Sequence, residues 1–399
     1  SALLNSARRF PLALKFDSDR AFVVLNQGVD ERARPGMEVL AINGEPLAAI
    51  LRRILPYVSH DGDIRTNRSY VLSQGFHRLQ GGSTGFSRAY HLYIGNPTGF
   101  KTTLRDPQTR KTVVVDLIGV TDAEAAVNVE TNPVNRDVLI GIKSLQTVGE
   151  SQSIRYLGGE STAVLRLPGF RDFGDFLAKA FAELKSNGTK NLIIDLRGNS
   201  GGRDASIPLL FSYLAAKEFR IYDRIHMTTY QPSFRQHADQ DFTPATGYPE
   251  FSPEAGFLTA DPNGGWLLTE KKSGNRLYQP AANRFEGRVF VLMDGGSFSA
   301  TADFIATVVF HKRATLIGEE TGGVAEGNNS GVAIGLTLPE SQLHIGIPTY
   351  RYFNVVSSVT RARGTLPTYA VTQRIDDLAK DRDTALEFTR DLIRTGKGQ

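Results

Sequence analysis

Two glycine-rich stretches are where this chain could do chemistry. The first is Arg197-Gly198-Asn199-Ser200-Gly201-Gly202, directly after the apolar run Asn191–Leu196. Glycines there can take positive φ and leave backbone N–H groups bare, and bare N–H groups at a strand-to-helix junction suit an oxyanion. Phosphate binding uses the same physics. The chain, however, has no GxxxxGK[ST] pattern, and Gly198, Gly201 and Gly202 do not fit GxGxxG. The second stretch is Asp294-Gly295-Gly296-Ser297-Phe298-Ser299, just ahead of a helical pattern. A serine on a strand-to-helix turn presents its Oγ to the cleft, and the next N–H, here that of Ala300, can complete an oxyanion hole. A serine at a helix start is more often only an N-cap. The nucleophile reading of Ser299 therefore rests on the two stretches together.

A serine is a weak nucleophile without a base. The chain has seven histidines, at positions 60, 77, 91, 226, 237, 311 and 344. His60 sits in Ser59-His60-Asp61, with polar partners at hand. It is the candidate base, set against a solvated histidine beside a surface turn at Asp61-Gly62-Asp63. His91 and His344 fall in strand patterns and read as structural. His311 follows Ser299 by about three helical turns, too far to reach its Oγ. With no cysteine and scattered histidines, neither a metal site nor a cofactor is expected.

The elements around these residues alternate strand and helix. Ala163–Leu167 reads as a strand. Phe173, Phe176, Leu177, Ala180, Phe181 and Leu184 keep helical spacing, and Asn187-Gly188 ends that helix. Asn191–Leu196 and Arg288–Met293 are buried strands of the parallel-sheet kind, followed by helices over about Ala205–Ala215 and Ala300–Phe310. Ala314–Ile317 is a further strand, and Arg382–Thr395 a C-terminal helix. This is α/β architecture. The first third differs: Arg20–Leu25, Gly36–Glu45 with its Asn43-Gly44 turn, His91–Ile94, Lys101–Leu104 and Thr112–Leu117 read as strands, and Pro46–Leu55 as a helix.

Composition narrows the function. The 399 residues are 40% hydrophobic and 22% charged, an ordinary globular balance. No apolar run nears the roughly 18 residues of a membrane span. The net charge of +4 is spread over small clusters without interleaved aromatics, which argues against a nucleic-acid partner. The chain starts at Ser1 without a signal-peptide pattern, as a trimmed product would.

Together, the two stretches resemble the signatures of the tail-specific, or carboxyl-terminal processing, serine proteases, a family that includes the tricorn core protease. Asn191–Gly202 matches one signature. Val289–Gly323, with Ser297-Phe298-Ser299-Ala300 and Arg313-Ala314-Thr315-Leu316-Ile317-Gly318, matches the other. Pro35–Pro46 and Gly99–Leu117 resemble a PDZ-like module. The resemblance implies a crotonase-like (ClpP-like) α/β protease core over residues 123–399. It also implies a PDZ-like β-rich domain over residues 1–122, with an insertion at about 57–90. It implies peptide-bond hydrolysis, with Ser299 as nucleophile and Gly201 or Gly202 with Ala300 as oxyanion donors. It further implies a protein or peptide substrate whose end adds as a strand to the PDZ-like module, an oligomer as one arrangement, and a bacterial, exported setting.

The chain departs from the family's patterns at the base. Where one branch has a lysine after the Thr321-Gly322-Gly323 stretch, this chain has Val324, and Phe310 stands where that branch has an acid. The tricorn-like branch takes its histidine from an Asp-x-His motif ahead of the PDZ-like segment; none occurs there, so that histidine is expected ahead of Ser1. Thr368 replaces an aspartate, and Thr360–Thr368 has no glutamate. These departures sustain a second expectation: a protease-fold binding protein for peptides or apolar ligands, as in the interphotoreceptor retinoid-binding protein.

Overall fold

The computed structural model describes residues 7–73, 85–147, 151–239, 253–271, 275–329, 331, 333–356 and 360–396. An antiparallel sheet forms the N-terminal part. Its strands are β1 (Leu12–Asp17), β2 (Arg20–Asn26), β3 (Glu38–Ile42), β4 (Glu45–Pro46), β5 (Gly99–Arg105) and β6 (Thr112–Ile118). The order is β1-β2-β3-β5-β6, with β4 paired to β3 through the Asn43-Gly44 turn. Inward residues such as Leu14, Val23, Val39, Ile42, Leu104 and Val115 bury against α1 (Leu47–Ile54), whose Leu47, Ile50, Leu51 and Ile54 share one face. This is the PDZ-like region.

The segment expected as an insertion carries two helices, α2 (Arg65–Leu72) and α3 (Gly85–Tyr93). His91 is therefore helical, not on a strand. Phe86, Ala89 and Tyr90 follow helical spacing and pack with Phe10 and Phe100, so the longer period overrides the short apolar run His91–Ile94. Strand β1 is an edge of the sheet, but Phe16 N–H donates to Ser73 Oγ at 2.9 Å, just past α2. A peptide adding to β1 as a strand would have to displace that contact. Next come α4 (Asp122–Thr131), started by a Thr121/Glu124 capping box, and α5 (Arg136–Thr147), whose Val138, Leu139 and Ile142 cover Ala13, Val24 and Leu25.

The second sheet is built on parallel strands: β7 (Ser153–Leu157), β8 (Thr162–Arg166), β9 (Asn191–Asp195), β13 (Arg288–Met293), β14 (Thr315–Gly318) and β18 (Tyr369–Ala370). The order is β18-β14-β13-β9-β8-β7, parallel throughout except at β7. Alternation sends Leu192, Ile194, Val289 and Val291 to one face, with α6 (Gly174–Ser186), α7 (Ser206–Ser212) and α8 (Ala300–Phe310). Ile193, Phe290 and Leu292 go to the other, where α10 (Thr384–Arg394) packs through Ala385, Leu386 and Leu392 after the short helix α9 (Ile375–Leu378).

A third sheet, β10 (Tyr222–Met227), β11 (Leu258–Ala260), β12 (Trp266–Leu268) and β17 (Tyr350–Asn354), closes over α8; β15 (Ala333–Thr337) and β16 (His344–Pro348) form a separate hairpin. Among the described residues no helix is long and apolar enough to cross a membrane.

Candidate active site

The parallel strands β9 and β13 end side by side, so the two glycine-rich stretches meet. Asp294 stitches them together: its Oδ1 accepts from Gly198 N–H at 2.8 Å and from Gly296 N–H at 2.9 Å. Ser297 Oγ donates to Leu196 O at 2.9 Å, and Phe298 N–H donates to Asn199 O at 3.0 Å. Burial pushes the Asp294 carboxyl up to about 6, with Glu319 adding to it and Gly198, Arg197 and Gly296 opposing.

Ser299 caps α8 with φ 52° and ψ −129°, a conformation unfavourable for an L-residue with a side chain. Its side chain makes no capping bond to the helix. The helix behind it is buried from Ala300 to Val308. A strained serine on a rigid, buried helix start is the geometry of a nucleophile turn.

Gly201 presses on this turn. At φ +101°, a Cβ there would lie 2.8 Å from Ser299 Cβ, 2.9 Å from Phe298 O and 3.0 Å from Ala300 N. Only glycine permits the approach. The Gly201 N–H is spent on Asn199 Oδ1 at 2.9 Å. Gly202, at φ +142°, is bound through its neighbours, with Phe170 N–H donating to Gly201 O and Arg203 N–H to Phe170 O, each at 2.8 Å. Among the described residues, neither the Gly202 nor the Ala300 N–H has a protein acceptor. From the other side comes Gly323, where a Cβ would sit 3.2 Å from Ser299 N.

The residues ahead of the first glycine loop are held by charge. Arg197 makes two bonds to Asp195, at 2.7 and 2.9 Å, and two to Asp383, at 2.8 and 2.7 Å. Asp383 also caps α10 through Leu386 N–H. Burial disfavours the Asp195 charge, but Arg197 and Arg166 outweigh it and hold its carboxyl well below the usual range.

Helix α2 leans on all three strand-end loops. Thr66 Oγ1 donates to Glu320 O at 2.9 Å and Asn67 Nδ2 to Gly295 O at 2.8 Å. The Tyr70 ring lies on Gly296, where a Cβ would come within 2.4 Å of it. The turn before α2, expected at the free surface, is docked: Asp61 accepts from Val324 N–H, and Asp63 N–H donates to Ala362 O at 2.8 Å. Burial raises the Asp61 carboxyl.

His60 leads into that turn. Its Nδ1 faces Val58 O at 2.9 Å and its Nε2 faces the Arg68 guanidinium. Arginine only donates, so in this contact Nε2 is the acceptor and Nδ1 the donor to Val58 O. His77 lies outside the described residues. His311 packs on Phe211 with centroids 5.0 Å apart, and burial, then Lys217, lowers it. His344 pairs with Asp239 at 2.9 Å. His226 lines an open cavity of about 720 Å³ on the outer face of β10 and β17, with Arg224, Arg351 and Phe353. Among the described residues no group of three or more His, Cys, Asp or Glu could hold a metal ion.

Sequence reasoning passed over Asp294, Asp383 and Asp303. Asp303 follows Ser299 by one helical turn, and its carboxylate binds Tyr222, Asn328 and Asn354. An acid on an otherwise apolar helix was the available signal.

Comparisons with known proteins bear on the family and the fold. The family model for Peptidase family S41 matches residues 161–371. The chain belongs to that family, the carboxyl-terminal processing proteases. Mature CPAF complexed with lactacystin is 14% identical, with a TM-score of 0.61 over 96% of this chain and 82% of that one. Mature CPAF alone is 16% identical, with a TM-score of 0.60 over 97% and 81%. A peptidase structure from Parabacteroides merdae is 20% identical, with a TM-score of 0.44 over 63% of this chain and 69% of that one. At these identities the CPAF likeness shows the fold. The sequence comparison with curated proteins gave no match.

Proposed function

We propose that the chain is a serine endopeptidase in which Ser299 is the nucleophile and the Gly202 and Ala300 amides hold the oxyanion. Residues 123–399 would be the protease core and residues 1–122 the PDZ-like unit. Ser299 Oγ attacks the scissile carbonyl and gives its proton to a base. The tetrahedral oxyanion forms between the two amides, and collapse with proton return expels the amine. Water then repeats the steps on the acyl-enzyme. His60 is the candidate base; its Nε2 could take a proton once Arg68 moves aside. Gly201 contributes by having no side chain, since its own N–H is bonded to Asn199. An extracytoplasmic setting follows from the family resemblance alone.

The observation that carries this reading is the strained Ser299 at the head of buried α8, with Gly201 against it and two amides without acceptors. A binding protein would have no use for that strain, which costs about 1–3 kcal/mol. The test is intact-mass labelling with a fluorophosphonate. Stoichiometric labelling, lost in Ser299→Ala and slowed in His60→Gln, is expected. Labelling that persists in Ser299→Ala, or none in the parent chain, refutes self-contained catalysis at Ser299.

A further inference from the structure

Asp303 sits one turn into α8, and its N–H donates to Ser299 O at 3.1 Å. Its side chain is buried and collects donors from three directions. Oδ2 accepts from Asn328 Nδ2 at 2.8 Å and from Tyr222 Oη at 3.3 Å; Oδ1 accepts from Asn354 Nδ2 at 2.9 Å. Asn354 also donates to Ala325 O at 3.0 Å, two residues past Gly323. Tyr352, whose ring centroid is 4.9 Å from that of Tyr222, donates to Asp204 Oδ2 at 2.9 Å, two residues past Gly202. The cluster thus reaches the helix bearing Ser299 and both loops that press on it.

We infer that Asp303, as a carboxylate, is a positioning residue that keeps the Ser299 helix in register with the Gly202 and Gly323 loops, so that the site is set only when Asp303 is ionised. The inference rests on Ser299 being the nucleophile. Three donors converge on two oxygens. A carboxylate accepts from all three, whereas a neutral acid needs an acceptor for its own proton, so one partner, Tyr222 Oη, must reverse its role or withdraw. The titratable groups facing it are Tyr222 from β10, Tyr352 from β17 and Asp204 ahead of α7, and none is a cation. Burial therefore dominates and pushes Asp303 up to about 7; Asp204 adds to the rise, while Asn354, Tyr222 and Asn328 oppose it.

The test is the pH dependence of turnover between about pH 5.5 and 8.5, read with the infrared band of protonated buried carboxyls. Two ionisations, the base and Asp303, should give log kcat a limiting acid slope of about 2, falling to about 1 in Asp303→Asn. At about pH 8 that variant should lose roughly tenfold in kcat with KM changed less than about twofold, because Asp303 touches no substrate. The component of that band titrating at about pH 7, above that of Asp294, should vanish as pH rises in the parent chain and be missing in the variant. That band does not depend on Ser299, so it separates failure of this inference from failure of the nucleophile reading. Should Asp303→Asn not fold, Tyr222→Phe removes one donor and should move the band and the acid limb to higher pH. An unchanged slope in Asp303→Asn, an absent band, or an unmoved limb in Tyr222→Phe overturns the inference.

Discussion

Replacing Gly201 by alanine should disable the site while leaving the fold standing. The added Cβ would lie 2.8 Å from Ser299 Cβ, 2.9 Å from Phe298 O and 3.0 Å from Ala300 N. Relaxed carbon contacts are about 3.5–4.0 Å, so the loop must retreat from Ser299 by roughly 0.7 Å or more. The neighbours are backbone and the Ser299 Cβ, not the end of a flexible chain. A misplacement near 1 Å costs about 100-fold in rate. The φ of +101° adds strain of about 1–2 kcal/mol, and overpacking about 1–3 kcal/mol more. Gly188→Ala separates these effects. That glycine ends α6 at φ +59° with nothing within 4 Å, so it carries the backbone strain without the clash. Fluorophosphonate labelling rates and urea midpoints of both variants form the assay. Gly188→Ala should lose about 1 kcal/mol and label normally; Gly201→Ala should label at about a hundredth of the rate. Normal labelling of Gly201→Ala would mean that no close approach to Ser299 exists, and the site geometry would be wrong.

Asp294 should make stability fall as pH rises. Its carboxyl is raised by burial to about 6, against an unfolded value of 3.8. The folded chain therefore holds the proton more tightly, and its stabilisation is complete below about pH 4 and lost through about pH 6. In Asp294→Asn, the fall in stability between about pH 4 and about pH 7, read from urea midpoints, should shrink by on the order of 3 kcal/mol, with the share from Asp303 remaining. Arg197→Met should cost about 3–5 kcal/mol, because it takes the cation from the Asp383 carboxylate and leaves Asp195 with Arg166 alone. In an Asp383→Asn background the same change should cost less, a coupling that a double-mutant cycle reads.

The elements legible in the sequence are those whose signal is local. Strands β9 and β13 are continuous apolar runs with glycine after them, and α6 keeps its period for three turns before Asn187-Gly188 stops it. The C-terminal helix α10 buries Leu386, Thr389 and Leu392 as its spacing implied. Signals shorter than one turn misled: His91–Ile94 alternates like a strand but belongs to a helix anchored by Phe86 and Tyr90. The stretch around α2 gave no periodic signal because that helix is held mainly by polar contacts, Thr66 to Glu320 and Asn67 to Gly295. Polar residues at those positions read as surface until the strand-end loops are placed against them.

The same division explains the candidate site. Glycines and a serine at strand ends are local features, and the family resemblance singles out Gly201, Gly202, Ser299 and Ala300 among them. Which amide is available is set by the fold: the Gly201 N–H is used by Asn199, the Gly202 N–H is left open by the way Phe170 pairs on either side of it, and the Ala300 N–H by its place at the start of α8. Asp303 is less visible still. An acid four positions after Ser299 on an apolar helix looks like a defect until β10, β17 and the loop through Asn328 bring three donors to it, from residues as far as 81 positions away in the chain. A buried carboxyl survives in a packed protein when donors converge on it. Here they converge beside the helix that starts at Ser299, and that placement gives Asp303 its consequence for the site.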